Sequence, residues 1–240
     1  MTIRTLLLDL DGTVLDTREF ILAAMIHSLE KHQIAGPSRE DLRAHLDGSA
    51  RPDVAWLLSL VGLPLEQIYT TISGGDPAHL VELHRAFQGE NLELVTAFPG
   101  AHEALASVRD AGVRIAAVTS RSKRTSLRSL EVVGLAQFFD AVVSAEDTPL
   151  LKPDPAPLRH ALALLGAETT SAAVAGDTAH DIVAGQRLGI RTVGVTYGFG
   201  PEAVRAAHPD ALIDSITGLP GAIGILQSAV PGAVTISRKI

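Results

Sequence analysis

Residues 5–13 read Thr-Leu-Leu-Leu-Asp-Leu-Asp-Gly-Thr, an apolar run that ends in two acidic residues and a glycine. An apolar run without polar alternation is typical of a strand that is buried on both faces, as in a parallel sheet. We therefore predict a strand over Thr5–Leu10 that carries Asp9 and Asp11 at its carboxyl end. Gly12 allows the backbone to turn sharply just beyond them.

Four further apolar runs follow along the chain, and helical patterns separate them. This alternation of strand and helix predicts a Rossmann-like α/β fold, in which helices cover a doubly wound parallel sheet. The predicted strands are Val113–Val118, Ala141–Val143, Ser171–Ala175 and Arg191–Val195, and the predicted helices are Ala101–Ala111, Arg124–Val133, Ala156–Leu165 and Ile182–Leu188.

The segment from residue 17 to residue 94 interrupts this alternation, because it contains helical patterns but no convincing strand. Asp16 is placed to cap the first of these helices, and Glu19 is placed to complete a capping box. We expect an α/β core of residues 1–16 and 95–240, with an inserted α-helical cap domain of residues 17–94. The predicted cap helices are Arg18–His32, Ser38–Leu46, Asp53–Val61 and Asp76–Glu90.

Charge, cysteine content and hydropathy argue against several classes of protein. The 240 residues carry a net charge of −7 and no cysteine, which disfavours a nucleic-acid binder and excludes thiolate chemistry and disulfides. No apolar stretch approaches the roughly 20 residues of a membrane span, and the first apolar run meets Asp9 too early for a signal peptide. We expect a cytoplasmic monomer or homodimer without nucleic-acid or membrane partners. The apolar tail Ala229–Ile236 would suit covering either the sheet or a partner.

Acidic, hydroxyl and basic side chains follow the predicted strands. Ligands of open α/β sheets bind beyond the carboxyl ends of the strands, so we expect these side chains to meet at one edge. Taken alone, each piece fits a turn, a helix cap or a solvated lysine, but their occurrence after successive strands indicates a site. The residues are Asp9 and Asp11, Thr119 and Ser120, Lys152, and Asp177 with Asp181 beyond it.

Three carboxylates that lie close together repel one another unless a cation or a proton compensates. Asp9, Asp11 and Asp177 offer oxygen ligands, and the site has no thiolate and no paired histidines, so Mg²⁺ is the expected ion. The hydroxyl pair Thr119-Ser120 and the ammonium group of Lys152 add donors and positive charge. Phosphate is the anion that best matches such a set.

These residues form four motifs that together resemble the haloacid dehalogenase superfamily over most of the chain. The helical insert is similar to the small α-helical cap of the branch that includes phosphoglycolate phosphatases, small pyrophosphatases and β-phosphoglucomutases. The motifs are Asp9-Leu10-Asp11-Gly12-Thr13-Val14-Leu15-Asp16, the strand-ending Thr119, Lys152 before Pro153-Asp154-Pro155, and Gly176-Asp177-Thr178-Ala179-His180-Asp181. The runs Val193–Gly198 and Pro209–Asp214 also look like phosphoglycolate-phosphatase-like members.

The resemblance implies a role for each acidic residue. Asp9 would attack phosphorus and form an aspartyl-phosphate. Asp11 would protonate the leaving oxygen and then deprotonate the hydrolytic water. Asp9, the backbone carbonyl of Asp11 and Asp177 would hold Mg²⁺. Asp181 would orient metal-bound water or Lys152 from a second layer, although direct ligation stays open.

The remaining motif residues would bind the phosphoryl group. Thr119 and the backbone N–H of Ser120 would hold its oxygens, Lys152 would neutralise its charge, and Gly12 and Thr13 would line the same site. In this family an acid at position 11 favours phosphoryl transfer over dehalogenation. Gly-Thr at positions 12 and 13 favours phosphatases over mutases.

The loop Asp47-Gly48-Ser49-Ala50-Arg51 is the best candidate for substrate selection by the cap. Ser49 would bind substrate and Arg51 would pair with a second anionic group, unless Arg51 is a solvated residue before a helix. We interpret His180 as a hydrogen-bonded residue at the rim of the site. We interpret Arg121–Arg124 as a solvated helix start.

We therefore expect a Mg²⁺-dependent phosphatase that acts on a small phosphorylated metabolite of the phosphoglycolate type. Pyrophosphate hydrolysis and a β-phosphoglucomutase-like reaction remain alternatives within the same chemistry. A non-catalytic domain that binds a phosphometabolite or a protein is the alternative from another class.

Overall fold

The computed structural model describes residues 2–224. Residues 2–16 and 97–224 form one compact unit, the core, and Thr17–Thr96 form a second, the cap. The apolar tail Ala229–Ile236 lies outside the described residues. No helix in the described part of the chain is both long and apolar enough to cross a membrane.

The core contains a six-stranded parallel sheet in the order β5-β4-β1-β6-β7-β8, and β2 and β3 pair separately. This confirms the predicted α/β fold and each of the five predicted strands to within two residues. The strands are β1 (Thr5–Leu8), β2 (Leu15–Asp16), β3 (Thr96–Ala97), β4 (Arg114–Val118), β5 (Ala141–Val143), β6 (Ala172–Gly176), β7 (Arg191–Val195) and β8 (Ala211–Ile213).

Strand β1 lies at the centre of the sheet, between β4 and β6. Leu7 pairs in register with Ala116 on one side and with Val174 on the other, and all three side chains are buried. The predicted strand extends to residue 10, but β1 ends at Leu8, because the carbonyl oxygen of Leu10 accepts hydrogen bonds from the turn that follows it. The first acidic residue therefore leaves the sheet at the middle of its carboxyl edge.

The cap is helical, and it contains one helix that the sequence analysis did not predict, α4. The structure also corrects the predicted cap of α1, because Thr17 rather than Asp16 is its N-cap residue, and the Thr17 side chain makes no capping hydrogen bond. Ser38 and Asp41 do form a capping box at the start of α2. The cap helices are α1 (Arg18–Lys31), α2 (Arg39–Leu46), α3 (Pro52–Ser59), α4 (Leu65–Ser73) and α5 (Ala78–Glu90).

The core helices connect the strands, and the four predicted ones are confirmed with small shifts. Helix α9 begins three residues earlier than predicted, since Thr178 precedes it as N-cap and the carboxylate of Asp181 accepts hydrogen bonds from the Thr178 backbone N–H and hydroxyl. The core helices are α6 (Ala101–Asp110), α7 (Lys123–Val132), α8 (Ala156–Leu165), α9 (Ala179–Leu188), α10 (Pro201–Ala206) and α11 (Leu219–Ala222).

Candidate active site

Three polar residues leave neighbouring strands at the carboxyl edge of the core sheet. Asp9 follows β1, Thr119 follows β4 and Asp177 follows β6. The three strands are adjacent in the sheet, and all three side chains are buried. The fold thus brings two acids and a hydroxyl group into one region, as expected for ligand sites of open α/β sheets.

Lys152 joins this group from the segment between β5 and α8. Its Nζ lies 2.6 Å from Oδ1 of Asp9 and 2.6 Å from Oδ1 of Asp181. A third bond of 2.8 Å goes to the backbone carbonyl oxygen of Val118. An ammonium group has three N–H donors, so these acceptors satisfy all of them and fix its position.

The buried carboxylates form a cluster that is suited to a metal ion. One oxygen each from Asp9, Asp177 and Asp181 lies within 4.8 Å of the others. Both oxygens of Asp181 accept hydrogen bonds, Oδ1 from Lys152 and Oδ2 from Thr178. Asp181 therefore supports Lys152 and the start of α9, which leaves Asp9 and Asp177 as the better placed pair for a cation.

The charges in the cluster also favour the binding of a cation. Burial raises the pKa of the Asp9 carboxyl to about 7, although Lys152 opposes the shift. Burial raises the pKa of Asp177 well above its ordinary value, and the charges of Asp9 and Asp181 add to the increase. For Lys152, burial alone would lower the pKa, but the charges of Asp181 and Asp9 raise it instead. The cluster holds more negative charge than one ammonium group balances.

Asp11 has a different partner from the acids of this cluster. Its Oδ1 accepts a 2.9 Å hydrogen bond from Nη1 of Arg121, and both side chains are largely buried. Nη2 of Arg121 donates to the hydroxyl of Ser129 at 2.9 Å. The interpretation of Arg121 as a solvated residue is therefore wrong, whereas Arg124 is exposed as expected. The position of Arg121, two residues after Thr119, was the signal available in the sequence.

Gly12 and Thr13 lie against the acidic cluster. Gly12 has φ of +78°, and a methyl group there would come within 2.1 Å of Oδ2 of Asp177. The hydroxyl of Thr13 lies 3.3 Å from Oδ1 of Asp177 and 3.5 Å from Oδ2 of Asp9. The structure therefore brings both residues next to the carboxylates.

Thr119 and Ser120 lie at the end of β4. The Thr119 side chain is buried, and its hydroxyl oxygen accepts a 3.2 Å hydrogen bond from the backbone N–H of Arg121. Ser120 is half-buried.

His180, in the first turn of α9, is also half-buried, but its Nδ1 has no hydrogen-bond partner among residues 2–224. This differs from the expected hydrogen-bonded histidine.

Ser49 and Arg51 belong to the cap. Ser49 is exposed between α2 and α3. Arg51 precedes α3, where its Nε lies 3.3 Å from Oδ1 of Asp41 and its Nη1 donates to the carbonyl oxygen of Ala50. Arg51 is half-exposed, so its ion pair with Asp41 is weak and open to exchange.

Comparison with known proteins identifies the family of this chain. The model of the haloacid dehalogenase-like hydrolase family matches residues 6–195 of the chain. Pyrophosphatase PpaX of Bacillus velezensis is 32% identical over 225 residues, which are 93% of this chain and 97% of that protein.

Solved structures show the same fold. A predicted phosphatase from Clostridium acetobutylicum has a TM-score of 0.79 at 25% identity and covers 94% of this chain and 100% of its own. A predicted phosphoglycolate phosphatase from Haemophilus somnus has a TM-score of 0.80 at 18% identity, over 92% of this chain and 98% of its own. At that identity the second likeness shows the fold alone. Because the family match covers most of the sequence, this chain belongs to the haloacid dehalogenase-like hydrolases.

Proposed function

We propose that this hydrolase is a Mg²⁺-dependent phosphatase that acts on a small phosphorylated metabolite through an aspartyl-phosphate on Asp9. The observation that carries the proposal is the buried group of Asp9, Asp177 and Asp181 around the ammonium of Lys152. A structural ion pair needs one acid for one lysine, whereas this group has two acids in excess. Such an excess suits a site that receives a cation and a phosphoryl group.

The donor set fits Mg²⁺. The candidate ligands are carboxylate oxygens of Asp9 and Asp177 and the backbone carbonyl of Asp11, all hard oxygen donors of the kind this ion prefers. When bound, the ion would supply positive charge that neutralises the carboxylates and the phosphoryl oxygens.

Asp9 is the proposed nucleophile. One of its oxygens would form a bond to phosphorus while the bond from phosphorus to the leaving oxygen breaks. Lys152 already donates to Oδ1 of Asp9, so it favours the ionised carboxylate. Thr119 and the backbone N–H of Ser120 would hold the transferring oxygens and stabilise their charge.

Asp11 is the proposed general acid and base. It would give a proton to the leaving oxygen, and it would later accept a proton from the water that attacks phosphorus and releases Asp9. A sequence with this acid two residues after the nucleophile fits transfer to an oxygen leaving group, which needs a proton.

A screen of phosphorylated metabolites with Mg²⁺ tests the proposal, with phosphoglycolate, sugar phosphates and pyrophosphate among the substrates. We expect phosphate release by the wild-type protein and none by Asp9→Asn, whose circular dichroism spectrum should match the wild type. Lack of hydrolysis of every substrate would contradict the proposal, as would substantial turnover by Asp9→Asn.

Pyrophosphate is a second candidate substrate, and the likeness to pyrophosphatase PpaX over 93% of the chain favours it. Phosphoglycolate-like monoesters are favoured by the runs Val193–Gly198 and Pro209–Asp214, which resemble phosphoglycolate-phosphatase-like members. The ratio of kcat/KM for pyrophosphate to kcat/KM for phosphoglycolate decides between them. A ratio well above one would assign the chain to pyrophosphate hydrolysis.

A further inference from the structure

The loop that follows β7 contacts both acidic loops of the core, although it lies outside the four sequence motifs. We call Tyr197–Phe199 the brace loop. The hydroxyl of Tyr197 donates to the carbonyl oxygen of Thr13 at 2.8 Å, in the turn after β1. The backbone N–H of Phe199 donates to Oδ2 of Asp177 at 2.6 Å, just after β6. The brace loop therefore links the turn after β1 to the acid that follows β6.

Gly198, at the centre of the brace loop, allows a very close approach to the acid. A methyl group at this position would lie 2.2 Å from Oδ2 of Asp177 and 2.5 Å from the carbonyl oxygen of Gly12. A methyl group at Gly12 would lie 2.1 Å from the same carboxylate oxygen, so Gly12 has no room for a side chain either. Two glycines from separate loops thus enclose one carboxylate.

Tyr197 is held at its ring as well as at its hydroxyl group. Its ring packs edge-to-face against Phe98, with 4.7 Å between the ring centroids. The backbone N–H of Phe98 in turn donates to the carbonyl oxygen of Val14. Contacts at both the ring and the hydroxyl group restrict the movement of Tyr197. Its position is therefore coupled to that of the turn after β1.

The hydrogen bond from the brace loop also selects which oxygen of Asp177 faces the nucleophile. The Phe199 N–H engages Oδ2, so Oδ1 is the oxygen near the Thr13 hydroxyl, which also lies 3.5 Å from Oδ2 of Asp9. The two carboxylates therefore present one oxygen each toward the same hydroxyl group. Because Lys152 engages Oδ1 of Asp9 and the Phe199 N–H engages Oδ2 of Asp177, these other two oxygens would be the ones available to a shared cation.

We propose that the brace loop sets the Mg²⁺ affinity of the site by fixing the Asp177 carboxylate relative to the turn at Gly12 and Thr13. Tyr197, Gly198 and the N–H of Phe199 are positioning groups and touch neither phosphate nor nucleophile in this role. The inference rests on the proposed function, since it takes Asp177 to be a metal ligand. Groups that orient a ligand from the second layer typically change metal affinity by about 10- to 100-fold.

A brace loop that only stabilised the fold would behave differently. Its variants would unfold at lower temperature, yet the folded fraction would bind Mg²⁺ as tightly as the wild type does. The Mg²⁺ affinity measured without substrate therefore distinguishes a positioning role of the brace loop from a purely stabilising one.

The test is isothermal titration calorimetry of the substrate-free protein with Mg²⁺, together with the thermal unfolding temperature of each variant. Gly198→Ala introduces the steric conflict with Asp177, and Tyr197→Phe deletes only the hydroxyl group. Gly221→Ala is the control, because a methyl group at this exposed position in α11 would meet nothing within 4 Å. Asp177→Asn tests the metal site itself.

We expect Gly198→Ala to raise the Mg²⁺ dissociation constant by about 10- to 100-fold, Tyr197→Phe to raise it less, and Gly221→Ala to match the wild type. At saturating Mg²⁺ the kcat of Tyr197→Phe should return to the wild-type value. If Gly198→Ala does not fold, Tyr197→Phe carries the test.

The brace-loop inference and the proposed function would fail in different ways. Wild-type affinity in both brace variants would overturn the inference and leave the proposed function standing. Equal Mg²⁺ binding by the wild type and Asp177→Asn, or no binding by the wild type, would remove the proposed metal site and the inference with it.

Discussion

At the scale of single residues, the charge on Asp9 depends on what surrounds it. Burial disfavours its ionised form, while the ammonium group of Lys152, 2.6 Å from Oδ1, favours it. The two effects leave the pKa of Asp9 at about 7, far above the 3.8 of an unperturbed aspartate. A nucleophile must be ionised to attack, so the remaining stabilisation has to come from a bound cation.

This balance predicts that Mg²⁺ binding depends on pH. Below about 7 the ion must displace a proton from Asp9, so its affinity should rise with pH by about tenfold per pH unit or more, since the pKa of Asp177 is raised as well. Titration calorimetry at a series of pH values in two buffers of different ionisation enthalpy measures both the affinity and the released proton. A flat profile without proton release would contradict the assignment of Asp9 as a ligand.

The same pKa shift affects stability in the metal-free protein. The folded state binds the Asp9 proton more tightly than the unfolded state, so stability should fall as pH rises from 3.8 to about 7. Added Mg²⁺ should reverse the loss at neutral pH, because it binds the folded state alone.

Arg121 donates to the carboxylate of Asp11 at 2.9 Å. We therefore expect Arg121 to affect turnover by positioning Asp11. Arg121→Met should lower kcat/KM for alkyl phosphates more than for an aryl phosphate, because only the basic alkoxide needs a proton from a well-placed acid. Arg124→Met removes the same charge from an exposed position nearby and serves as the control. Equal losses on both substrates would show that Arg121 does not act through Asp11.

At the scale of secondary-structure elements, the start of α9 links helix capping to the active site. Asp181 accepts hydrogen bonds from Thr178 through Oδ2 and from Lys152 through Oδ1. The helix terminus therefore orients the acid that holds the lysine.

Loss of the Thr178 hydroxyl should consequently reduce both stability and activity. We expect Thr178→Ala to cost about 1 kcal/mol of unfolding free energy and to lower kcat, with Thr178→Ser restoring most of both. Ser38→Ala breaks a capping box at α2 in the cap and should cost similar stability without changing kcat. Urea unfolding and steady-state kinetics measure the two effects, and an unchanged kcat in Thr178→Ala would refute the link.

The elements that carry long apolar patterns could be predicted from the sequence. Strand β1 was recognisable because both of its faces are buried, and the acids at its end followed from the parallel sheet. Strand β8, only three residues long, and helix α4 were missed. The apolar spacing of Leu65, Ile68 and Ile72 was a usable signal for α4. The apolar run Ala211–Ile213 was one for β8, since the equally short β5 was predicted from such a run.

The contacts around the carboxylates could be predicted only in part. Lys152 and Asp181 carry chemistry that a sequence motif displays. The proposed action of the brace loop involves the Tyr197 hydroxyl, a backbone N–H and the missing side chain of Gly198, and the partners of these groups are set by tertiary packing. The partner of Arg121 depends on tertiary packing for the same reason.

At the scale of the whole molecule, the chain is divided into a core with the acidic cluster and a helical cap. The net charge of −7 does not attract phosphate anions over long distances, so local cations have to provide the attraction. Lys152 is the candidate for such a cation in the core. Arg51 is the candidate in the cap, for a second anionic group of the substrate.

Arg51→Ala should therefore change substrate preference. We expect kcat/KM for phosphoglycolate, which carries a carboxylate beside the phosphate, to fall more than kcat/KM for a generic aryl phosphate. Arg43→Ala removes one exposed positive charge from the same unit and should leave the ratio unchanged. A parallel loss on both substrates in Arg51→Ala would rule out a role in selection.

During turnover we expect Asp9 to carry the transferred phosphoryl group. Rapid mixing with substrate and Mg²⁺, an acid quench and mass spectrometry of the digested protein test it most directly, because acid preserves an acyl phosphate. We predict one phosphoryl group on the peptide that contains Asp9, and none in Asp9→Asn. Phosphorylation at another residue, or wild-type turnover without any phosphorylated enzyme under conditions that trap the intermediate, would show that Asp9 is not the nucleophile.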